Sequence, residues 1–184
     1  MAEGSDPCWY FAYGSNMEPA TFRGRRGIEY AHALPARARG WRLVFDKPPL
    51  VSIGESYANI IAEPASDVLG VLYAIDANGL AHLDLSEGVL IGNYQRISLA
   101  VTPLTGEPPV DAFTLVSEKR VQGLLPSKRY MACLINGALE HGLPEKYVAF
   151  LRSLPANPET DAAREFRPFI NQALRRRRGG DGPV

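Results

Sequence analysis

The order in which hydrophobic periods occur along the chain restricts its fold more than any single residue does. Strand-like runs come first, and amphipathic helical stripes follow only after residue 126. Residues 8–13, Cys-Trp-Tyr-Phe-Ala-Tyr, form an unbroken apolar and aromatic run that stops at Gly14, which predicts a buried first strand. Residues 41–45 alternate and end before Pro48-Pro49, a strand with a hard stop. Residues 57–62 and 68–75 predict two further strands, joined by a tight connection at Pro64-Ala65-Ser66-Asp67. Residues 94–101 and 110–116 predict two more. One helix interrupts the strands: Asp76 caps it, it runs to about Ser86, and Leu80 and Leu83 face inward. Residues 17–37, with Arg23, Arg25 and Arg26 among glycines, predict a short helix or loop. Ser127 caps a later helix striped by Met131, Leu134, Ile135, Ala138 and Leu139. Gly142 ends that helix, and Pro144 opens another whose stripe is Tyr147, Phe150, Leu151 and Leu154.

This order is not a βαβ alternation. It predicts an α+β domain with a mixed or mostly antiparallel sheet that can close into a small β-barrel with flanking helices. A chain of 184 residues suffices for one domain with a sizeable core. The expected organisation is a flexible N-terminus over 1–8, a domain over 9–156, and a C-terminal segment over 157–184. That last segment should hold an amphipathic helix over 159–174, kinked at Pro168, and a disordered Arg-rich tail from Arg175 to Arg178 onward.

Charge excludes whole classes of partner. Lys plus Arg number 20 and Asp plus Glu number 20, so no global field recruits nucleic acid or an anionic membrane. The polar, acidic start is unlike a secretory signal, and no apolar run reaches the ~20 residues that cross a bilayer. Cys8 and Cys133 are far apart and belong to no motif, which favours a reducing, cytoplasmic setting. His32, His82 and His141 are scattered, and no ligand spacing predicts a metal or other cofactor.

Two short segments carry chemistry. In Tyr13-Gly14-Ser15-Asn16, glycine allows a sharp turn and close approach to the main chain, and the following N–H groups and side chains can cradle an anion. An ordinary strand-ending turn uses the same residues. Glu87 stands beside Gly88 at a helix end, in a segment with few other charges. Partial burial there would bring its carboxyl toward a general acid/base range, whereas a solvated helix-end glutamate would do nothing. Tyr130, in the first turn of the later helix, and Tyr94, after Gly92-Asn93, can each point a phenol into a pocket or simply pack. Ser15 lacks a nucleophile-elbow pattern, and there is no phosphate-binding glycine loop.

Together these segments resemble the γ-glutamylcyclotransferase family. Phe11-Ala12-Tyr13-Gly14-Ser15-Asn16-Met17 resembles its substrate-binding YGSN loop. Leu83 to Val89, followed by Gly92-Asn93-Tyr94, resembles the segment of its catalytic glutamate. Pro126 to Tyr130 resembles a substrate-contacting tyrosine segment, and Gly142-Leu143-Pro144 with Tyr147 resembles the start of its last shared helix. The order and spacing agree from residue 9 to about 155. YGSN is closer to enzymes acting on γ-glutamyl amino acids than to the γ-glutamylamine branch, which tends to carry YGTL.

The resemblance implies a small mixed barrel and a metal-free cyclisation of a γ-glutamyl amide to 5-oxoproline with release of the amine. It implies Glu87 as general acid/base and Tyr10, Phe11, Ala12, Tyr13, Gly14, Ser15, Asn16, Tyr94 and Tyr130 as the substrate-binding set. It is compatible with a homodimer. Two alternatives stay open: the same chemistry on glutathione or on a γ-glutamyl biosynthetic conjugate, and a non-catalytic binding module that uses the C-terminal helix and Arg tail.

Overall fold

A computed structural model describes residues 7–176. Of the expected flexible N-terminus over 1–8, residues 1–6 lie outside the described residues and Cys8 is already paired with Ile75 in the sheet. Of the tail expected to be disordered from Arg175, residues 177 onward lie outside the described residues, and Arg175 and Arg176 continue the last helix. Five strands, β1 (Cys8–Ala12), β2 (His32–Lys47), β3 (Tyr57–Ile75), β4 (Gln95–Pro103) and β5 (Val110–Val116), close into a barrel in the order β1-β3-β2-β4-β5. The seam between β1 and β5 is parallel, and the other neighbours are antiparallel. Closure gives each of these strands two neighbours, although the β2–β4 ladder spans only Ala36–Ala38 against Val101–Pro103. The mixed barrel with flanking helices is the architecture expected from the order of elements.

Two local expectations fail. Residues 57–62 and 68–75 are not separate strands but parts of β3, and Pro64 to Asp67 is not a tight connection between them. Across β2, Arg39 pairs with Asp67 and Trp41 with Ala62, so residues 63–66 stand opposite Gly40 alone. The turn-forming residues build a large bulge that stays in line with the strand, and Gly40, at φ +79°, absorbs the kink on the facing strand. The second failure lies in 17–37. A 3₁₀ turn (Ser15–Met17) and a π-helical turn (Ala20–Arg25) occupy its first part, but β2 already begins at His32, nine residues ahead of the alternation at Trp41.

Helix α1 (Ala77–Glu87) follows β3 directly. The Asp76 carboxylate accepts from Gly79 N at 2.7 Å, and Gly88, at φ +71°, ends the helix in the left-handed region. Asp76→Ala is expected to cost about 1 kcal/mol in urea unfolding. Helix α2 (Lys128–Glu140) is capped by Ser127 Oγ, which accepts from Tyr130 N at 3.2 Å. Helices α3 (Glu145–Ser153) and α4 (Asp161–Arg176) complete the fold, and α4 contains Pro168. Met131, Leu134 and Ala138 of α2 join Tyr147, Val148 and Leu151 of α3 in a core shared with the barrel. Among the described residues no helix is long and apolar enough to cross a membrane.

Candidate active site

At the end of β1 the chain must leave the barrel wall beneath α2. The space at Gly14 permits it: a Cβ there would lie 3.1 Å from the Tyr130 hydroxyl and 3.4 Å from Ala58 Cβ. The turn's first backbone bonds are Met17 N to Gly14 O (3.0 Å) and Glu18 N to Ser15 O (3.1 Å), so the N–H groups ahead of them point off its start. The turn carries Asn16 inward, where it is buried.

Asn16 is the hub of a polar network. Its Nδ2 donates to Glu87 Oε1 at 2.8 Å and to the Tyr10 hydroxyl at 3.1 Å. Its Oδ1 accepts from Arg26 Nε at 2.8 Å. Arg26 turns its remaining nitrogens on α1: Nη2 lies 2.8 Å from Glu87 Oε1, and Nη1 donates to Ser86 Oγ at 3.0 Å. Arg26 closes the π-helical turn through its N–H to Thr21 O at 3.0 Å, five residues back. Both side-chain donors to Glu87 fall on Oε1. Oε2 is therefore the oxygen without a protein donor among the described residues, on a carboxylate only 13 % exposed.

The turn after Glu87 is pinned from the far side. Asn93 Nδ2 donates to Glu87 O at 2.9 Å, and Asn93 N donates to Gly88 O at 3.0 Å. Lys47, at the end of β2, donates to Asn93 Oδ1 at 2.6 Å and to Pro48 O, with its ammonium 4.9 Å from the centre of the Tyr94 ring. Glu87, Asn16, Arg26, Lys47, Tyr10 and Tyr94 share one cavity of about 360 Å³.

Of the residues expected in the site, Tyr10, Tyr13, Gly14, Ser15, Asn16, Glu87, Tyr94 and Tyr130 line this cavity. Phe11 and Ala12 do not. Both are fully buried in the packed interior, because β1 is covered on both faces. Glu87 lies in a segment with few other charges, and its ionic partner comes from elsewhere in the chain: the π-helical turn delivers Arg26 to it. Arg26, Lys47 and Asn93 were missed as site residues. The run of arginines beside glycine at 23–26 and a lysine directly before Pro48-Pro49 were the available signals.

Burial, with Glu87 second, pushes the Tyr10 phenol well above its ordinary range. Burial also raises Tyr94 and Tyr130, so these hydroxyls stay neutral at physiological pH. The Tyr130 hydroxyl accepts from Ala58 N at 3.2 Å, which aims it across the mouth of the Gly14 turn.

Burial pushes the Lys47 ammonium down from 10.5 to about 8, against the pull of Glu87. The unfolded chain therefore holds this proton over a window in which the folded chain releases it. Lys47 lowers stability most below pH 8, and the penalty lifts between about pH 8 and 10.5. Urea unfolding at pH 7.5 and 9.5 is expected to show wild type gaining about 1–3 kcal/mol relative to Lys47→Met. Parallel behaviour of the two proteins would contradict it.

The comparisons with known proteins bear on this arrangement. A model of the AIG2-like family matches residues 67–151, from the second half of β3 through α3. A Bos taurus protein named gamma-glutamylcyclotransferase is 31 % identical over 155 residues, covering 80 % of this chain and 79 % of its own length. The chain belongs to the γ-glutamylcyclotransferase family. The Homo sapiens gamma-glutamylcyclotransferase is 29 % identical over 163 residues, with 85 % and 83 % covered. A solved structure named gamma-glutamyl cyclotransferase superposes with a TM-score of 0.75 at 25 % identity, covering 91 % of this chain and 99 % of that one. Membership of this family makes the protein an enzyme of the cyclotransferase class.

Proposed function

We propose that the cavity binds a γ-glutamyl amino acid and cyclises it to 5-oxoproline, releasing the amino acid, with Glu87 as the group that moves the proton. The observation that carries this reading is the asymmetric Glu87 carboxylate. Oε1 is held by Asn16 and Arg26, and Oε2 is left without a protein donor on the side chain that lines the cavity.

The chemistry needs little more. The substrate's own α-amine, in its neutral form, attacks the γ-carbonyl carbon. As the new C–N bond forms, Oε2 takes a proton from that nitrogen. As the tetrahedral intermediate collapses and the original amide C–N bond breaks, Oε2 returns the proton to the departing nitrogen. No enzyme nucleophile takes part. Ring closure depends on folding the glutamyl chain back on itself, and positioning of this kind can supply roughly 7 kcal/mol or more. The Gly14-Ser15-Asn16 turn, with its free N–H groups, is the natural seat for the glutamyl α-carboxylate. Tyr130 and Tyr94 flank it as neutral hydroxyl donors. Tyr10 acts through Asn16, which it helps to orient.

The test is 5-oxoproline released against time from γ-glutamyl dipeptides, with the free amino acid measured in the same sample. The two products should appear in equal amounts. Free amino acid accompanied by glutamate would mean hydrolysis and would overturn the cyclisation.

A further inference from the structure

The cavity extends well past the Glu87 network, and its outer part has a different character. Four arginines line the cavity. Arg26 is engaged by Glu87 and Asn16, while Arg129 and Arg167 stand 3.7 and 3.3 Å from Glu159. Arg25 has no ion pair among the described residues, and its buried Nε has no hydrogen-bond partner. Burial, and after it the neighbouring Arg26, lower its hold on the proton, against a weaker pull from Glu18. Beyond it the cavity rim is apolar and uncovered: Leu50 is 64 % exposed, Val51 49 %, Phe166 40 % and Ile170 47 %. The rim is held in shape. Thr160, just ahead of α4, donates to Ile53 O at 2.6 Å and to Glu55 Oε1 at 3.2 Å, so α4 and the 49–55 segment form one lip.

A γ-glutamyl group carries an amine, a carboxylate and a carbonyl on a short chain, and has no use for an apolar lip. We propose that the outer cavity is the subsite for the leaving amino acid: Arg25 takes its α-carboxylate, and Leu50, Val51, Phe166 and Ile170 take a large apolar side chain. This rests on the cyclotransferase reading and names its substrate class, γ-glutamyl dipeptides ending in residues such as Leu or Phe. A guanidinium that is partly desolvated and unpaired binds a carboxylate strongly. The lip gains by covering apolar surface that now faces water. Arg25 is placed for this by the π-helical turn, which sends adjacent arginines to different tasks, Arg26 to the general base and Arg25 to the outgoing product.

The experiment compares kcat/KM for 5-oxoproline release from γ-glutamyl-phenylalanine, γ-glutamyl-alanine and γ-glutamyl-phenethylamine, the last lacking only the carboxylate. Wild type is expected to prefer phenylalanine to alanine by about 10-fold or more and to phenethylamine by about 100-fold. Arg25→Met should collapse the phenylalanine-to-phenethylamine ratio toward one, and Arg25→Lys should restore part of it. Phe166→Ser should shrink the phenylalanine-to-alanine ratio without altering the phenylalanine-to-phenethylamine ratio. Equal turnover of all three substrates by wild type would remove the subsite and leave the cyclotransferase standing. Variants that lose activity on all three in equal proportion would also overturn it. No 5-oxoproline from any substrate would remove the reaction and the subsite together.

Discussion

Glu87→Gln is expected to lower 5-oxoproline release by about 10²–10⁴-fold while leaving the fold intact. Gln keeps an oxygen for the Asn16 amide and fills the same volume, so the network can persist around a side chain that cannot take a proton. The side chain lost is the one that lines the cavity with an oxygen lacking a protein donor among the described residues, so the effect should fall on kcat more than on KM. Arg26 loses its ionic partner in the variant, which should show as a modest drop in melting temperature. A variant retaining most of the wild-type turnover would take Glu87 out of the mechanism, whatever else the cavity does.

Gly137→Ala is expected to destabilise the protein by about 2–3 kcal/mol. In a chain of this size that lowers the melting temperature by roughly 5–10 °C. The reason is contact between α2 and the turn that carries Asn16. A Cβ at Gly137 would lie 2.5 Å from Met17 C, 2.6 Å from Met17 Cβ and 2.7 Å from Glu18 N. Two of these are backbone atoms, so relief requires the helix or the turn to move. Movement of the turn displaces Asn16, and with it one of the two donors on Glu87 Oε1. Activity should therefore fall by about 10²-fold even at temperatures where the variant is folded. Leu139→Ala, on the exposed face of the same helix, is the control and should keep both stability and turnover within experimental scatter. A stable, fully active Gly137→Ala would mean that α2 does not set the position of the turn.

Gly137 also shows where reading the sequence stops. Of the expected stripe Met131, Leu134, Ile135, Ala138 and Leu139, the first four pack inward, because apolar residues at helical spacing announce a buried face, whereas Leu139 lies beyond its edge and is exposed. A glycine in the same face has no side chain to announce anything, although it decides how closely the helix approaches. The end caps Asp76, Ser127 and Gly142 were legible because each acts on its own neighbours in the chain. The bulge at 63–66 was misread because proline and aspartate carry the same local preferences in a bulge as in a turn. What separates the two is the register against β2, a non-local fact. The site divided along the same line. Glu87, the Gly14 turn, Tyr94 and Tyr130 were named from motifs, whereas Arg26 and Lys47 are joined to Glu87 or Asn93 only by folding. Phe11 and Ala12 were assigned to the site by adjacency to the motif. Strand alternation and packing on both faces of β1 put them in the interior instead.

The parallel seam between β1 and β5 has a consequence for how the protein comes into being. Thr114 Oγ1 donates to Phe11 O across a sequence separation of 103 residues, the contact that draws the two ends of the barrel together. Hairpins such as β4 with β5 can form early because little chain entropy is lost in closing them. The seam requires the largest loop in the barrel to close at once. The Gly14 turn leaves the barrel directly from β1, and the Tyr13 hydroxyl beside it donates to Leu115 O of β5, so this part of the cavity wall is not held in its final place until that seam has formed. Recovery of turnover after dilution from denaturant should therefore trail the return of secondary structure, making enzymatic activity a clock for the last event in assembly.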